Sequence, residues 1–153
     1  LVPVVRAEEE DLAPNAKSAI MIEASTGEIL FQKNKDEKLA PASMTKMMSM
    51  LLIMEEIENG NLKWDEMITA SEKAASMGGS QIFLKVGKKM SVTDMVKGIS
   101  IASGNDATVA MAERISGSEE SFVKKMNDRA KELGLKNLYV LNFSFNFLLE
   151  GVL

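Results

Sequence analysis

The chain has 153 residues, 46% of them hydrophobic and 26% charged, with a net charge of −4. That fits one globular domain or part of a larger one and offers no basic surplus for nucleic acid. There is no His and no Cys, which excludes Ser–His triads, cysteine nucleophiles, disulfides and the usual zinc ligands together.

The first residues, Leu1-Val2-Pro3-Val4-Val5-Arg6-Ala7, are apolar, and Glu8-Glu9-Glu10-Asp11 follows. Val5-Arg6-Ala7 has the small residues of a signal-peptidase site, so residues 1–7 read as the remnant of a secretory signal and 1–15 as a disordered leader. No stretch reaches the roughly 18 consecutive apolar residues of a membrane span. Residues 17–23 predict a strand, Ser25-Thr26-Gly27 a turn and residues 28–33 the returning strand. After a polar loop, Pro41 or Ser43 opens a helix. Met47, Met48, Met50, Leu51, Leu52, Ile53 and Met54 make it apolar on nearly every side. It is therefore expected to be buried over 44–57, with Met47, Leu51 and Met54 in the core. Asn59-Gly60 stops it.

Residues 64–69 lead into a mixed stretch, and 76–81 predict a flexible loop. Ser91-Val92-Thr93-Asp94 resembles a capping box before a helix with Val92, Met95, Val96 and Ile99 inward. An Ala-rich helix is expected from Asp106 to Ser116, ended by Gly117. Ser118 caps a last helix with Phe122, Met126, Ala130 and Leu133 on its core face. The twelve methionines against one Trp read as soft core packing. Strands first and helices after make the class α+β. Two strands alone form a poor sheet, so the fold is expected to need further strands beyond the C-terminal end.

Ser43-Met44-Thr45-Lys46 carries the chemistry. A serine and a lysine at i and i+3 on a helix share a face, so Lys46 can serve as base to a Ser43 nucleophile. The helix N-terminus and neighbouring donors are expected to help hold Lys46 neutral. Ser121-Phe122-Val123-Lys124 has the same spacing, but it sits on a charged amphipathic segment where Lys124 is expected to be solvated. Taken alone, Ser43 also reads as a helix cap. Ser103-Gly104-Asn105 can aim a hydroxyl and an amide into one cleft, or simply cap the next helix. Ser144-Phe145-Asn146 repeats that pattern near the end.

Pro41-Ala42-Ser43-Met44-Thr45-Lys46-Met47-Met48, Gly78-Gly79-Ser80-Gln81-Ile82-Phe83-Leu84 and Ser103-Gly104-Asn105-Asp106-Ala107 together resemble the D-alanyl-D-alanine carboxypeptidases. These are low-molecular-mass penicillin-binding proteins of serine peptidase family S11. The likeness runs from about Ala16 to Asn137. It implies an incomplete β-lactamase/transpeptidase-like fold, an N-terminal β-hairpin plus a helical cluster, with 16–137 as a partial catalytic domain. It implies that Ser43 attacks the carbonyl between two terminal D-alanines of a peptidoglycan stem peptide. Lys46 then takes its proton, Ser103 relays a proton, Asn105 binds substrate and the Ser43 N–H donates to the oxyanion. β-Lactams would acylate the same serine. No metal and no organic cofactor is implied, and the setting is secreted and extracytoplasmic, at the cell wall or the outer face of the cytoplasmic membrane.

The family's third motif, Lys-Thr-Gly or Lys-Ser-Gly, does not occur in these residues. Residues 138–153 depart from the family pattern and read as a frameshifted or truncated tail. The alternative is a divergent end in which Phe143, Phe145 and Phe147 alternate along a strand. The 153 residues alone are expected to be inactive. A serine β-lactamase shares the fold and motifs, and a non-catalytic fragment that binds peptidoglycan or a partner is the reading from a different class.

Overall fold

The computed structural model describes residues 11–37, 39–135, 138–140 and 147–149. The readings of residues 1–7 as a signal remnant, of Phe143 and Phe145 as strand residues, and of Ser144 and Asn146 as a motif fall outside the described residues. The chain divides into two units, 1–37 and 38–153.

The first unit is a hairpin. Strand β1 (Ala19–Ile22) pairs antiparallel with β2 (Ile29–Lys33). The turn between them is built by Glu23, whose carboxylate accepts from the Ser25 and Thr26 N–H groups and the Ser25 hydroxyl. Those bonds hold the Glu23 carboxyl below its usual range. Gly27 takes the left-handed φ of 74° that the turn needs.

The second unit is mainly helical. A 3₁₀ turn (Ala42–Thr45) leads into α1 (Lys46–Glu58). Then come β3 (Met67–Thr69), α2 (Glu72–Ala75), β4 (Lys89–Ser91), α3 (Val92–Ala102), α4 (Asn105–Ser116) and α5 (Glu119–Glu132). Strands β5 (Leu138–Val140) and β6 (Phe147–Leu149) pair antiparallel, as β3 and β4 do. No helix among the described residues is long and apolar enough to cross a membrane.

The core is organised around α4, which touches α1, α2, α3, α5 and β3. Residues 107–112 are all buried. Alanine at positions 107, 110 and 112 lets neighbouring helices come close on every side. The caps follow the sequence: the Ser91 hydroxyl accepts from the Asp94 N–H, and Ser118 from that of Ser121. Gly117 ends α4 at a φ of 80°. Ion pairs tie α5 to α1: Arg129 reaches Glu55 at 2.8 Å, and Lys125 pairs with Glu56.

Three expectations are corrected. Helix α1 is not buried all round. Its core face is Met48, Ser49, Leu52 and Ile53, while Met47 is 71% exposed and Leu51 36%. Met54 is only partly buried against the core. The reason is one-sided packing, in which Ser49, the small polar residue in the run, lies against the Met126 sulfur of α5 at 4.0 Å. Met47 and Leu51 instead line an apolar groove with Met44, Leu133, Leu135 and Leu138. Leu133 is accordingly exposed at the end of α5, rather than in its core face. Finally, β3 and α2 lie where the sequence suggested only a mixed stretch, and β4 lies where it assigned no element. Within residues 138–153, strands β5 and β6 are present, and the Asn127 side chain pairs with both the N–H and the carbonyl of Val140, at 2.7 and 2.8 Å. Val140 is buried there.

Leu52→Ala is expected to lower stability by about 2–5 kcal/mol, from lost burial plus a cavity. Leu51→Ala should cost about 1 kcal/mol or less, because its site is open. Urea denaturation of both variants measures the difference, and equal losses would contradict the one-sided packing of α1.

Candidate active site

Four polar side chains converge where the 3₁₀ turn, the end of α3 and the start of α4 meet. Ser43 lies on the 3₁₀ turn and Lys46 opens α1. Side chains at i and i+3 eclipse in 3₁₀ geometry, so the two are aligned by the turn. The turn is held by the Met44 N–H on the Pro41 carbonyl and the Thr45 hydroxyl on the Ala42 carbonyl. Ala42, just before the serine, is left-handed at a φ of 48°.

The Lys46 ammonium position is buried, with 8% of the residue exposed. Its Nζ donates to Asn105 Oδ1 at 2.6 Å, to Ser103 Oγ at 3.1 Å and to Ser43 Oγ at 3.4 Å. An ammonium has three donors, and here three uncharged oxygens meet them. Burial lowers the Lys46 pKa from its ordinary value. The expected direction therefore holds, but the cause is desolvation and the neighbours are acceptors, not donors.

Ser103 and Asn105 reach the lysine through a strained corner. Ser103 ends α3 in the left-handed region, with φ 54° and ψ 35°. Gly104 then donates its N–H to the Gly98 carbonyl at 3.0 Å. A Cβ on Gly104 would stand 3.0 Å from Asp106 Oδ1 and 3.3 Å from the Gly98 carbonyl. Only glycine fits that close approach without displacing its neighbours. Asn105 does not act as the cap itself; Gly104 holds that position. Asn105 donates its side-chain amide to the Gly78 carbonyl at 2.8 Å and its backbone N–H to the Ser80 carbonyl at 2.8 Å. The 76–81 segment has no regular structure, as expected of a loop, yet α4 grips it twice.

The sequence reading singled out no role for Asp106. It is fully buried. Its Oδ1 accepts from the Ile82 and Ala107 N–H groups at 3.1 and 2.9 Å, and its Oδ2 accepts from Leu84 at 2.9 Å. An acid in the first turn of an Ala-rich helix is the signal that was available for it.

The second Ser-x-x-Lys pair differs in every respect. The Lys124 side chain is 79% exposed and pairs with Asp128 at 2.6 Å, which raises its pKa. Ser121 is hydrogen-bonded to Ser118, not to the lysine. Among the described residues no three or more acidic side chains cluster to hold a metal.

Comparison with known proteins identifies the family. A family profile described as D-alanyl-D-alanine carboxypeptidase, peptidase S11, matches residues 4–144. The D-alanyl-D-alanine carboxypeptidase DacF of Bacillus subtilis is 65% identical over 127 residues, covering 83% of this chain and 33% of the relative. DacC of Escherichia coli is 40% identical over 139 residues, covering 86% of this chain and 35% of its own length. Among solved structures, the carboxypeptidase DacD from Francisella tularensis superposes with a TM-score of 0.87 at 39% identity, covering 98% of this chain and 37% of that one. Penicillin binding protein 5 from Haemophilus influenzae gives 0.82 at 34% identity, covering 86% and 39%. The chain spans about a third of the length of the curated relatives it matches. Its α+β architecture is that of the penicillin-binding proteins, present in part.

The two lysines should titrate in opposite directions. With isotope-labelled lysine side chains, nuclear magnetic resonance should place the Lys46 pKa below the ordinary lysine value and that of Lys124 above it. A group whose folded pKa is depressed by burial binds fewer protons folded than unfolded between the two values. Stability should therefore rise with pH across that window. Coincident titration of the two lysines would contradict the burial of Lys46.

Proposed function

This chain belongs to the D-alanyl-D-alanine carboxypeptidase family, peptidase S11, and from that premise we propose that it carries the nucleophile of a serine-type carboxypeptidase acting on peptidoglycan stem peptides. One observation supports the reading above all: a buried lysine amine, met by neutral oxygens only, within 3.4 Å of a serine hydroxyl. Burial lowers the pKa of such an amine, and in its neutral form an amine beside a hydroxyl is a general base.

In the proposed sequence, Ser43 Oγ attacks the carbonyl of the penultimate D-alanine as its proton passes to Lys46 Nζ. The Ser43 N–H donates to the oxyanion. As the tetrahedral species collapses, the C–N bond breaks and the proton returns through Ser103 Oγ, 3.1 Å from Lys46, to the leaving D-alanine nitrogen. Water then attacks the ester on Ser43 as Lys46 takes its proton; the C–O bond to Ser43 breaks, Lys46 returns the proton to Ser43 Oγ, and the shortened stem peptide leaves. Asn105 orients Lys46 through its carbonyl and keeps a second amide N–H for the substrate. A β-lactam, which mimics D-alanyl-D-alanine, would acylate Ser43 by the same first step. Its substrate would place the enzyme outside the cytoplasm, at the cell wall.

Residues 16–137 carry the first two motifs of this chemistry, and no Lys-Thr-Gly occurs in the 153 residues. By the family resemblance that third motif binds the substrate carboxylate and lies beside a second oxyanion donor. Loss of one such donor typically costs about 10²–10³-fold, and loss of positioning adds to it. The 153 residues alone are therefore inactive in this reading.

In a full-length protein carrying these residues, Ser43→Ala should abolish labelling by a fluorescent penicillin. Lys46→Ala should slow it by about 10²–10⁴-fold, and Lys124→Ala should leave it within about twofold. The acylation rate should rise with pH through the lowered Lys46 pKa. Equal losses at Lys46 and Lys124 would sink the assignment, and rapid release of bound penicillin would favour a β-lactamase. The 153-residue chain should release no free D-alanine from diacetyl-lysyl-D-alanyl-D-alanine above a Ser43→Ala control. Turnover above that control would show that the third motif is dispensable.

A further inference from the structure

Asp106 is fully buried beside the site, yet the chemistry above assigns it no step. Its two oxygens take the backbone N–H groups of Ile82 and Leu84, residues on either side of Phe83. Phe83 is thereby held at a φ of 59°, a region that bulky residues rarely enter, and is 80% exposed. A strained residue persists only where its surroundings over-determine it. Here the surroundings are one carboxylate that grips both neighbours.

The same segment carries the two carbonyls that fix Asn105. Gly78 accepts from its side-chain amide and Ser80 from its backbone N–H. Gly78, Gly79 and Ser80 are themselves exposed, so packing does little to hold them. With its amide nitrogen on Gly78, Asn105 can turn only its carbonyl oxygen to Lys46, and it does so at 2.6 Å.

We propose that Asp106 is a positioning residue for acylation, fastening the 78–84 loop to the first turn of α4 so that Asn105 is held against Lys46. This rests on the catalytic reading above. Asp106→Asn is nearly isosteric, but it turns one acceptor oxygen into a donor facing a backbone N–H. The loop should loosen, and the Asn105 carbonyl should lose its fixed aim.

The test is a double-mutant cycle in a full-length protein carrying these residues, read by the second-order rate of fluorescent-penicillin labelling. Asp106→Asn should slow labelling about 10- to 100-fold in the parent, the scale of a small misplacement. In an Asn105→Ala background the same substitution should slow it less than about twofold, since the two act in series. The drop in melting temperature should be the same in both backgrounds. An equal rate loss in both backgrounds, or none in the parent, overturns the proposal. Should Asp106→Asn fail to fold, hydrogen exchange of the parent decides: slow exchange at the Ile82 and Leu84 amides and at the Asn105 side-chain amide supports the clamp, and fast exchange overturns it. A parent that takes no label at Ser43 overturns the catalytic reading, and the same exchange measurement then still decides whether the clamp exists.

Discussion

A lysine amine buried without a counter-charge shapes the second unit. Moving an ammonium out of water is costly unless an anion or good hydrogen bonds compensate. At Lys46 the compensation comes from neutral oxygens alone, at 2.6 to 3.4 Å. A carboxylate in their place would favour the ammonium. Neutral acceptors satisfy the nitrogen while leaving burial free to lower its pKa. Two of the three acceptors come from residues 57 and 59 positions away, so the site exists only when α1, the end of α3 and the start of α4 are brought together.

That demand explains the composition of α4. A helix that must touch four others and a strand needs small residues facing several directions, and 107–112 meet this with alanine at three positions. Its first turn cannot be reached gradually, because Ser103 and Asn105 must both point at one amine. The chain turns through a left-handed serine and a glycine pressed against the Asp106 carboxylate. The hydrophobic packing of α4 and the polar geometry of the site are thus one structure seen from two ends.

How much of this was legible in the sequence follows from the range of each interaction. Ser91, Ser118 and Gly117 announced helix ends because capping is local. The Ser43–Lys46 pair was legible because its spacing is local too. Joining it to Ser103 and Asn105 needed the family resemblance, since nothing local links residues so far apart. The buried face of α1 was misjudged because every side of the helix is apolar; only the partner decides, and the partner faces Ser49. Strands β3 and β4 were missed because three residues each are too few to show an alternation. Asp106 reads locally as an ordinary first-turn acid, and its grip on residues 82 and 84 becomes visible only in three dimensions.

Backbone strain gives an independent view of the same centre. The non-glycine residues with positive φ among those described are Asn34, Ala42, Phe83 and Ser103. Asn34 is of a type that tolerates this region and lies in the hairpin unit. Ala42 immediately precedes Ser43, Ser103 is itself a ligand of Lys46, and Phe83 is held between the two amides on Asp106. A left-handed alanine, serine or phenylalanine is each unfavourable in isolation. Ala42 adjoins Ser43, Ser103 bonds to Lys46 and Phe83 is tied through its neighbours to the first turn of α4, as expected where side-chain aim, not backbone comfort, fixes the local conformation. It also accounts for the hydrogen bonding nearby: the turn at 41–45, the Gly104 corner and the Asp106 carboxylate each supply bonds beside a strained residue.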